Sequence, residues 1–153
     1  MLLLDPVARE LIVAHALGGF PDEACGLLGG SISSDLDSDG LLVARVERFF
    51  PTRNHDASSR TYSIPPSDYF AAEDAIDANG WVITGVAHSH THSEAWPSLT
   101  DVDKADNPLL EGWHYVIVSL RDATPVVRSF LLADRLIREE RVVLGKGSGG
   151  VPG

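Results

Sequence analysis

The stretch Trp81 to His90, Trp-Val-Ile-Thr-Gly-Val-Ala-His-Ser-His, limits the possible folds more than any other part of the chain. A strand with one wet face alternates apolar and polar residues, whereas this one is apolar on both faces until its end. Such a strand needs cover on both sides, which means a sheet sandwiched by helices. His114 to Leu120 reads as a second buried strand, and Cys25 to Ile32 and Leu41 to Phe50 as two more. A loop over residues 51–60 leads to a short strand at Thr61 to Ile64, and Val126 to Ala133 with Ile137 to Leu144 forms a closing hairpin. Asp5-Pro6 opens a helix with a capping carboxylate and a proline whose missing N–H does no harm there. Val7, Leu11, Ala14 and Leu17 follow at helical spacing, and Gly18-Gly19 is the stop. Pro65-Pro66-Ser67 opens a second helix with Tyr69, Ala72 and Ile76 on one face and Asn79-Gly80 at its end. The expectation is a single α/β domain over residues 1–144, a mixed β-sheet flanked by helices, with a flexible Gly-rich tail at 145–153. A length of 153 residues suits one core and leaves little room for a second.

The charge balance sets 22 Asp and Glu against 12 Lys and Arg, a formal net charge of −10. A surface of that sign repels phosphates, so no nucleic-acid partner is expected. The surplus fits a solubilising surface or, more sharply, adaptation to high salt. No apolar run approaches the roughly 18 residues that span a bilayer, and Met-Leu-Leu-Leu-Asp-Pro lacks a basic leader region. The expectation is a soluble cytoplasmic protein with no membrane partner. Cys25 is the lone cysteine, so no internal disulfide or cysteine-rich zinc knuckle can form. Any metal must be held by His, Asp or Glu.

Such ligands stand where the central strand ends, in His88-Ser-His-Thr-His-Ser-Glu-Ala-Trp-Pro-Ser-Leu-Thr-Asp101. Residues two apart in a strand point to one face with Cα atoms about 6.6 Å apart, so His88 and His90 can present two imidazoles to one ion. A turn after His90 and a helix starting near Ser98 would bring back the Asp101 carboxylate as a third ligand. Two histidines, one carboxylate and a water make an open, catalytic type of zinc site. Two plainer readings compete: polar residues at a sheet rim, and a capping box in which Ser98 and Asp101 satisfy a helix N-terminus. His92 competes as a ligand, yet in an extended chain it lies roughly 13 Å from His88, too far to share one tetrahedral ion.

Here the chain resembles the JAMM (JAB or MPN-plus) metalloprotease family, whose signature is His-x-His with Ser ten and Asp thirteen residues after the first His. His88, His90, Ser98 and Asp101 stand in that register. Bacterial stand-alone members carry an upstream catalytic glutamate in a Pro-x-Glu-x-Cys-Gly-Leu-Leu context, matched by Pro21-Asp-Glu23-Ala-Cys25-Gly-Leu-Leu28. Thr91 departs from the pattern, since many members have proline after the second His. The resemblance implies a cytidine-deaminase-like architecture and a Zn2+ peptidase or isopeptidase, with His88, His90 and Asp101 as ligands. Glu23 would be its acid/base, and Ser98 would stabilise an oxyanion. It also implies a substrate that is the tail of a small ubiquitin-like or sulfur-carrier protein ending in Gly-Gly. The chemistry needs a carboxylate like Glu23 in its own right, to take a proton from water and give it to the departing amine. The rival from another class is a non-catalytic MPN-type adaptor that binds such tails without cutting them.

Other signals carry less. Asp35-Leu-Asp37-Ser-Asp39-Gly40 begins like a calcium loop, but the twelfth position is Val46 rather than a bidentate acid, so it reads as a polar turn. His92-Ser-Glu94 before Pro97-Ser98 lacks the two cysteine ligands of a zinc deaminase. Cys25, in an apolar Gly-Leu-Leu context, reads as a buried small hydrophobe rather than an activated thiol. Trp96 either lines a substrate groove or packs beneath the loop. His15, His55 and His114 read as structural or exposed. Arg53-Asn54 and Arg60 lie in a loop able to reach the site, with no role visible in the sequence.

Overall fold

The computed structural model describes residues 1–145; the expected Gly-rich tail lies almost wholly outside them. Eight strands form one mixed sheet: β1 (Leu2–Leu4), β2 (Cys25–Leu36), β3 (Leu42–Thr52), β4 (Val82–His90), β5 (His114–Ser119), β6 (Val126–Ala133), β7 (Leu136–Glu140) and β8 (Val142–Leu144). Their spatial order is β7-β6-β5-β4-β2-β3-β1-β8, with β1 parallel to β3 and β8, β4 parallel to β5, and the other pairs antiparallel. Among the described residues there are also three α-helices, α1 (Pro6–Gly19), α2 (Pro66–Ala78) and α3 (Leu99–Ala105), and one 3-10 turn at Pro108–Leu110. No described helix is long and apolar enough to cross a membrane.

The central strand behaves as its composition requires. β4 is buried from Thr84 to His90. On one face Ala87 joins Leu28, Val116 and Val118 beneath α1, which contributes Ala8, Ile12 and Ala16. On the other, Val86 joins Cys25, Tyr62 and Tyr115, while Leu27 meets Ala72 and Ile76 of α2. His88 and His90 follow Val86 at period two, so both rings emerge on the α2 face at the strand's end. Gly85 lets β5 come close, since a Cβ there would lie 1.8 Å from the His114 carbonyl oxygen.

Four local expectations are corrected. In α1 the buried stripe is Ala8, Ile12 and Ala16, whereas Val7, Leu11 and Leu17 are exposed by 61, 47 and 56%. Both stripes have helical spacing, and two alanines let the helix lie close to the sheet. β2 runs on to Leu36, shortening the polar turn that Asp37 then closes by accepting the Asp39 and Leu41 N–H groups. Thr61 to Ile64 is not a strand: its backbone bonds within its own loop, with Asn54 and His55, and to Lys104 of α3. The final segment is not one hairpin arm but β7 and β8, at opposite ends of the strand order and separated only by Arg141. The sheet therefore curls until its two edges meet, and β8 covers the opening Leu2–Leu4 strand.

At that seam sits a buried polar cluster. His114 Nδ1–H donates to Glu140 Oε2 at 2.7 Å, Ser129 Oγ–H donates to the same oxygen at 2.7 Å, and the Met1 amine lies 2.9 Å from Oε1. Burial alone would raise the Glu140 carboxyl; bonds from His114, the amine and Ser129 overcome it and hold the group below its ordinary range. A depressed carboxyl contributes stability above its unfolded pKa and loses it as pH falls through the folded value. Glu140→Gln is expected to lower stability at pH 7 by about 3 kcal/mol, the usual scale for breaking a buried pair. It should also flatten the loss of stability below about pH 4.3, where an unfolded glutamate takes up its proton. Urea midpoints of both proteins between pH 3 and 7 check this; parallel curves would refute it.

Candidate active site

His88 and His90 end β4 because the chain turns away immediately afterwards. Leu120 N–H donates to the His90 carbonyl at 3.0 Å, and Ser119 Oγ–H to the Ser93 carbonyl at 2.7 Å, which folds residues 91–97 back over the sheet. Ser98 then caps α3. Its Oγ accepts from Asp101 N–H at 3.1 Å, while its own N–H donates to Asp101 Oδ2 at 2.9 Å. The capping box thus forms, and the same carboxylate oxygen lies 3.2 Å from His88 Nε2 and 3.1 Å from His90 Nε2. The two Nε2 atoms are 3.2 Å apart.

That triangle has the dimensions of a metal site. Ligands about 2.05 Å from a tetrahedral ion stand about 3.3 Å from one another. His88, His90 and Asp101 are all buried and form a three-ligand group able to hold a metal ion. His90 Nδ1–H donates to the Glu94 carbonyl at 2.9 Å, an orientation in which a bound ion would meet Nε2. Tyr62 stacks on the His88 ring at 4.4 Å and an interplanar angle of 25°, which fixes that ring's plane. Burial lowers the pKa of His88, favouring the neutral, ligating form. For Asp101, burial opposes ionisation, but attraction and hydrogen bonds from His88, His90 and the Ser98 backbone outweigh it, so the group stays a carboxylate. The donor set suits a divalent ion of the zinc class.

Glu23 lies on the connector between α1 and β2 and is only 5% exposed. Burial raises its pKa to about 7; His90 and Lys104 pull it down, while Asp101 pushes it up. A carboxyl poised there, within electrostatic reach of two ligands, is suited to accept and release a proton near neutrality. Ser98 is half-buried, and its Oγ uses a lone pair toward Asp101, leaving its O–H to donate.

The remaining sequence candidates sit elsewhere. His92 is exposed and packs edge-on against Phe20, outside the ligand group. Cys25 Sγ lies 3.4 Å from Thr52 Oγ1 and from the Arg53 carbonyl oxygen, and burial pushes its pKa up, so the thiol stays protonated. Trp96 packs edge-on against Phe130 beneath Arg128. His15 Nε2 meets the Cys25 and Thr52 carbonyls, joining β2 to β3. Sequence reasoning missed Tyr62, Lys104 and the Glu94 carbonyl. Lys104 stands one turn beyond Asp101 on α3, donates to the Tyr62 carbonyl and lies 4.3 Å from the centre of that ring. A lysine at that helical distance from a ligand was the signal available.

Comparison with known proteins covers the stretch of chain that contains these residues. A family model described as prokaryotic homologs of the JAB domain matches residues 6–133. A Mycobacterium tuberculosis protein named CysO-cysteine peptidase is 37% identical over 132 residues, 86% of this chain and 82% of that protein. A Haloferax volcanii protein named desampylase is 34% identical over 123 residues, 77% of this chain and 80% of its own length. A solution structure of a Desulfitobacterium hafniense protein superposes with a TM-score of 0.80 and 36% identity, covering 96% of this chain and 94% of that one. With a family match running from the first helix to the end of β6, this chain belongs to the prokaryotic JAB-domain family.

Proposed function

We propose that this chain is a zinc-dependent peptidase or isopeptidase that cleaves after the Gly-Gly end of a small ubiquitin-like, sulfur-carrier-type protein. The observation that carries the chemistry is the convergence of His88 Nε2, His90 Nε2 and Asp101 Oδ2 within 3.2 Å of one another. The substrate class is supported by relatives named for peptidase activity on CysO-cysteine and for desampylation. Zinc held by His88, His90 and Asp101 would supply Lewis acidity that polarises a carbonyl and makes a water acidic near pH 7. Glu23 takes the proton from the attacking water and hands it to the departing amine, so it starts each turnover ionised and ends it ionised. Ser98 O–H donates to the oxygen on which negative charge grows; one such donor contributes about 3 kcal/mol. His90 keeps its orientation through Glu94, and His88 through the Tyr62 ring. A Gly-Gly tail suits a narrow groove, where any side chain would clash.

Metal content is the direct test. The purified chain is expected to hold one zinc, and His88→Ala or Asp101→Ala to lose it, as read by elemental analysis after dialysis. Metal retained by both variants would remove the site. Cleavage is tested on a ubiquitin-like protein whose C-terminal Gly-Gly carries an added cysteine. Zinc-dependent release of that cysteine is expected from the wild type and a loss of at least 100-fold from Glu23→Gln. Tight binding of the substrate with no cleavage under any divalent ion would favour the adaptor reading.

Activity should also depend on pH in a defined direction. A base works only when ionised, so kcat/KM is expected to rise with pH along a one-proton limb. Burial sets the Glu23 carboxyl at about 7, and a divalent cation beside it favours the charged form. The limb is therefore expected below pH 7 and absent from the residual rate of Glu23→Gln. A limb unchanged in that variant would assign the proton to another group.

A further inference from the structure

Residues 53–65, between β3 and α2, belong to no strand, yet this loop holds Glu23. Both backbone polar groups of Glu23 bond to it. The N–H donates to the Ser58 carbonyl at 2.7 Å, and the carbonyl accepts from Asn54 Nδ2 at 2.9 Å. Asn54 gives its other N–H to the Thr61 carbonyl at 3.0 Å, and its Oδ1 accepts from the N–H groups of Asp56 at 3.1 Å and Ser63 at 3.0 Å. One half-buried carboxamide therefore uses two donors and two acceptor sites, its full hydrogen-bonding capacity. Three of those bonds close the loop on itself and the fourth joins it to Glu23.

The rest of the loop has independent anchors. Thr91 Oγ1–H donates to the Ser59 carbonyl at 3.2 Å, and Lys104 Nζ donates to the Tyr62 carbonyl. A proline in place of Thr91 could not make the first of these bonds. Ala24 is held separately, by Ser89 Oγ at 2.8 Å from its N–H and by the Ser89 N–H at 2.9 Å from its carbonyl. Losing the Asn54 side chain thus removes one of the two bonds on the Glu23 backbone and three that brace the loop, which loosens the hold on Glu23 while the sheet, Tyr62 and the ligand triangle keep their own supports.

We propose that Asn54 is a positioning residue for the reaction: its carboxamide fixes the peptide of Glu23 and, through it, the place of the carboxylate beside His90 and Asp101. The inference rests on Glu23 being the proton carrier. Asparagine suits the task because aspartate, of the same shape, would turn acceptors toward the Glu23 and Thr61 carbonyl oxygens.

The test uses the zinc-loaded full chain, the cysteine-extended Gly-Gly substrate, and Asn54→Ala, Asn54→Asp, Glu23→Gln and the Asn54→Ala/Glu23→Gln double variant. Both Asn54 variants are expected to keep one zinc per chain and a KM within twofold, with kcat reduced at least tenfold and more for aspartate. In the Glu23→Gln background, Asn54→Ala should change the residual rate less than twofold. Hydrogen exchange gives a readout apart from activity: in Asn54→Ala the Glu23 amide should exchange at least tenfold faster, while β4 amides stay protected. Unchanged kcat, an equal loss in the Glu23→Gln background, zinc lost in step with kcat, or an unaltered Glu23 amide would each overturn the role of Asn54. Full activity of Glu23→Gln would instead overturn the functional reading on which it rests.

Discussion

A single oxygen atom, Asp101 Oδ2, ties the architecture to the chemistry. It accepts the Ser98 N–H at the start of α3 and faces both Nε2 atoms at the end of β4. A free carboxylate on a flexible loop would have to lose side-chain entropy to reach a metal site. Here the helix cap has already fixed the rotamer, and the favourable charge of a helix N-terminus helps keep the group ionised. The plain reading of Ser98 and Asp101 as a capping box and the sharper reading as part of a metal site are therefore one arrangement. Each makes the other less costly.

Burial does the remaining electrostatic work. The α2 face of β4 is covered by Tyr62 and by the loop carrying it, so the imidazoles and the two carboxyl groups sit in a medium that resists isolated charge. Asp101 stays ionised because three donors meet it, whereas Glu23 shares that environment without a matching set and is lifted to about 7. Two acids at one end of the sheet are thus driven apart in pKa, which is the separation that the proposed division between holding charge and moving protons needs.

Much of this was legible in the sequence, and for identifiable reasons. β4 is apolar on both faces, so its central place followed from composition alone; the His pair at its end and the Ser98–Asp101 spacing are local patterns a few residues long. What escaped notice depends on contacts distant in sequence. β1 and β8 have three residues each, too few for periodicity, and they pair across the whole chain as Leu2 with Val142. The buried face of α1 was ambiguous because Val7, Leu11 and Ala8, Ile12 are equally well spaced, and only the proximity of the sheet chooses the stripe with small residues. Asn54, Tyr62 and the His114–Glu140 pair owe their roles to partners 26 or more residues away or to a loop with no regular pattern.

The charge balance at the site shows why these parts belong together. Asp101 and Glu23 bring two negative charges to the buried end of β4, and Lys104 brings one positive charge, partly directed to the Tyr62 carbonyl and ring. That leaves a deficit of positive charge in a place where water cannot screen it. Burial favours a proton on Glu23, and that proton makes up the deficit; a divalent cation among His88, His90 and Asp101 would do the same. Cation and proton compete for the same electrostatic role, so binding the first loosens the second. An acid that holds its proton only weakly beside a cation is what a reaction that first removes and then returns a proton requires. The loop that sets the distance of Glu23 from the ligands therefore also sets how strongly the two are coupled.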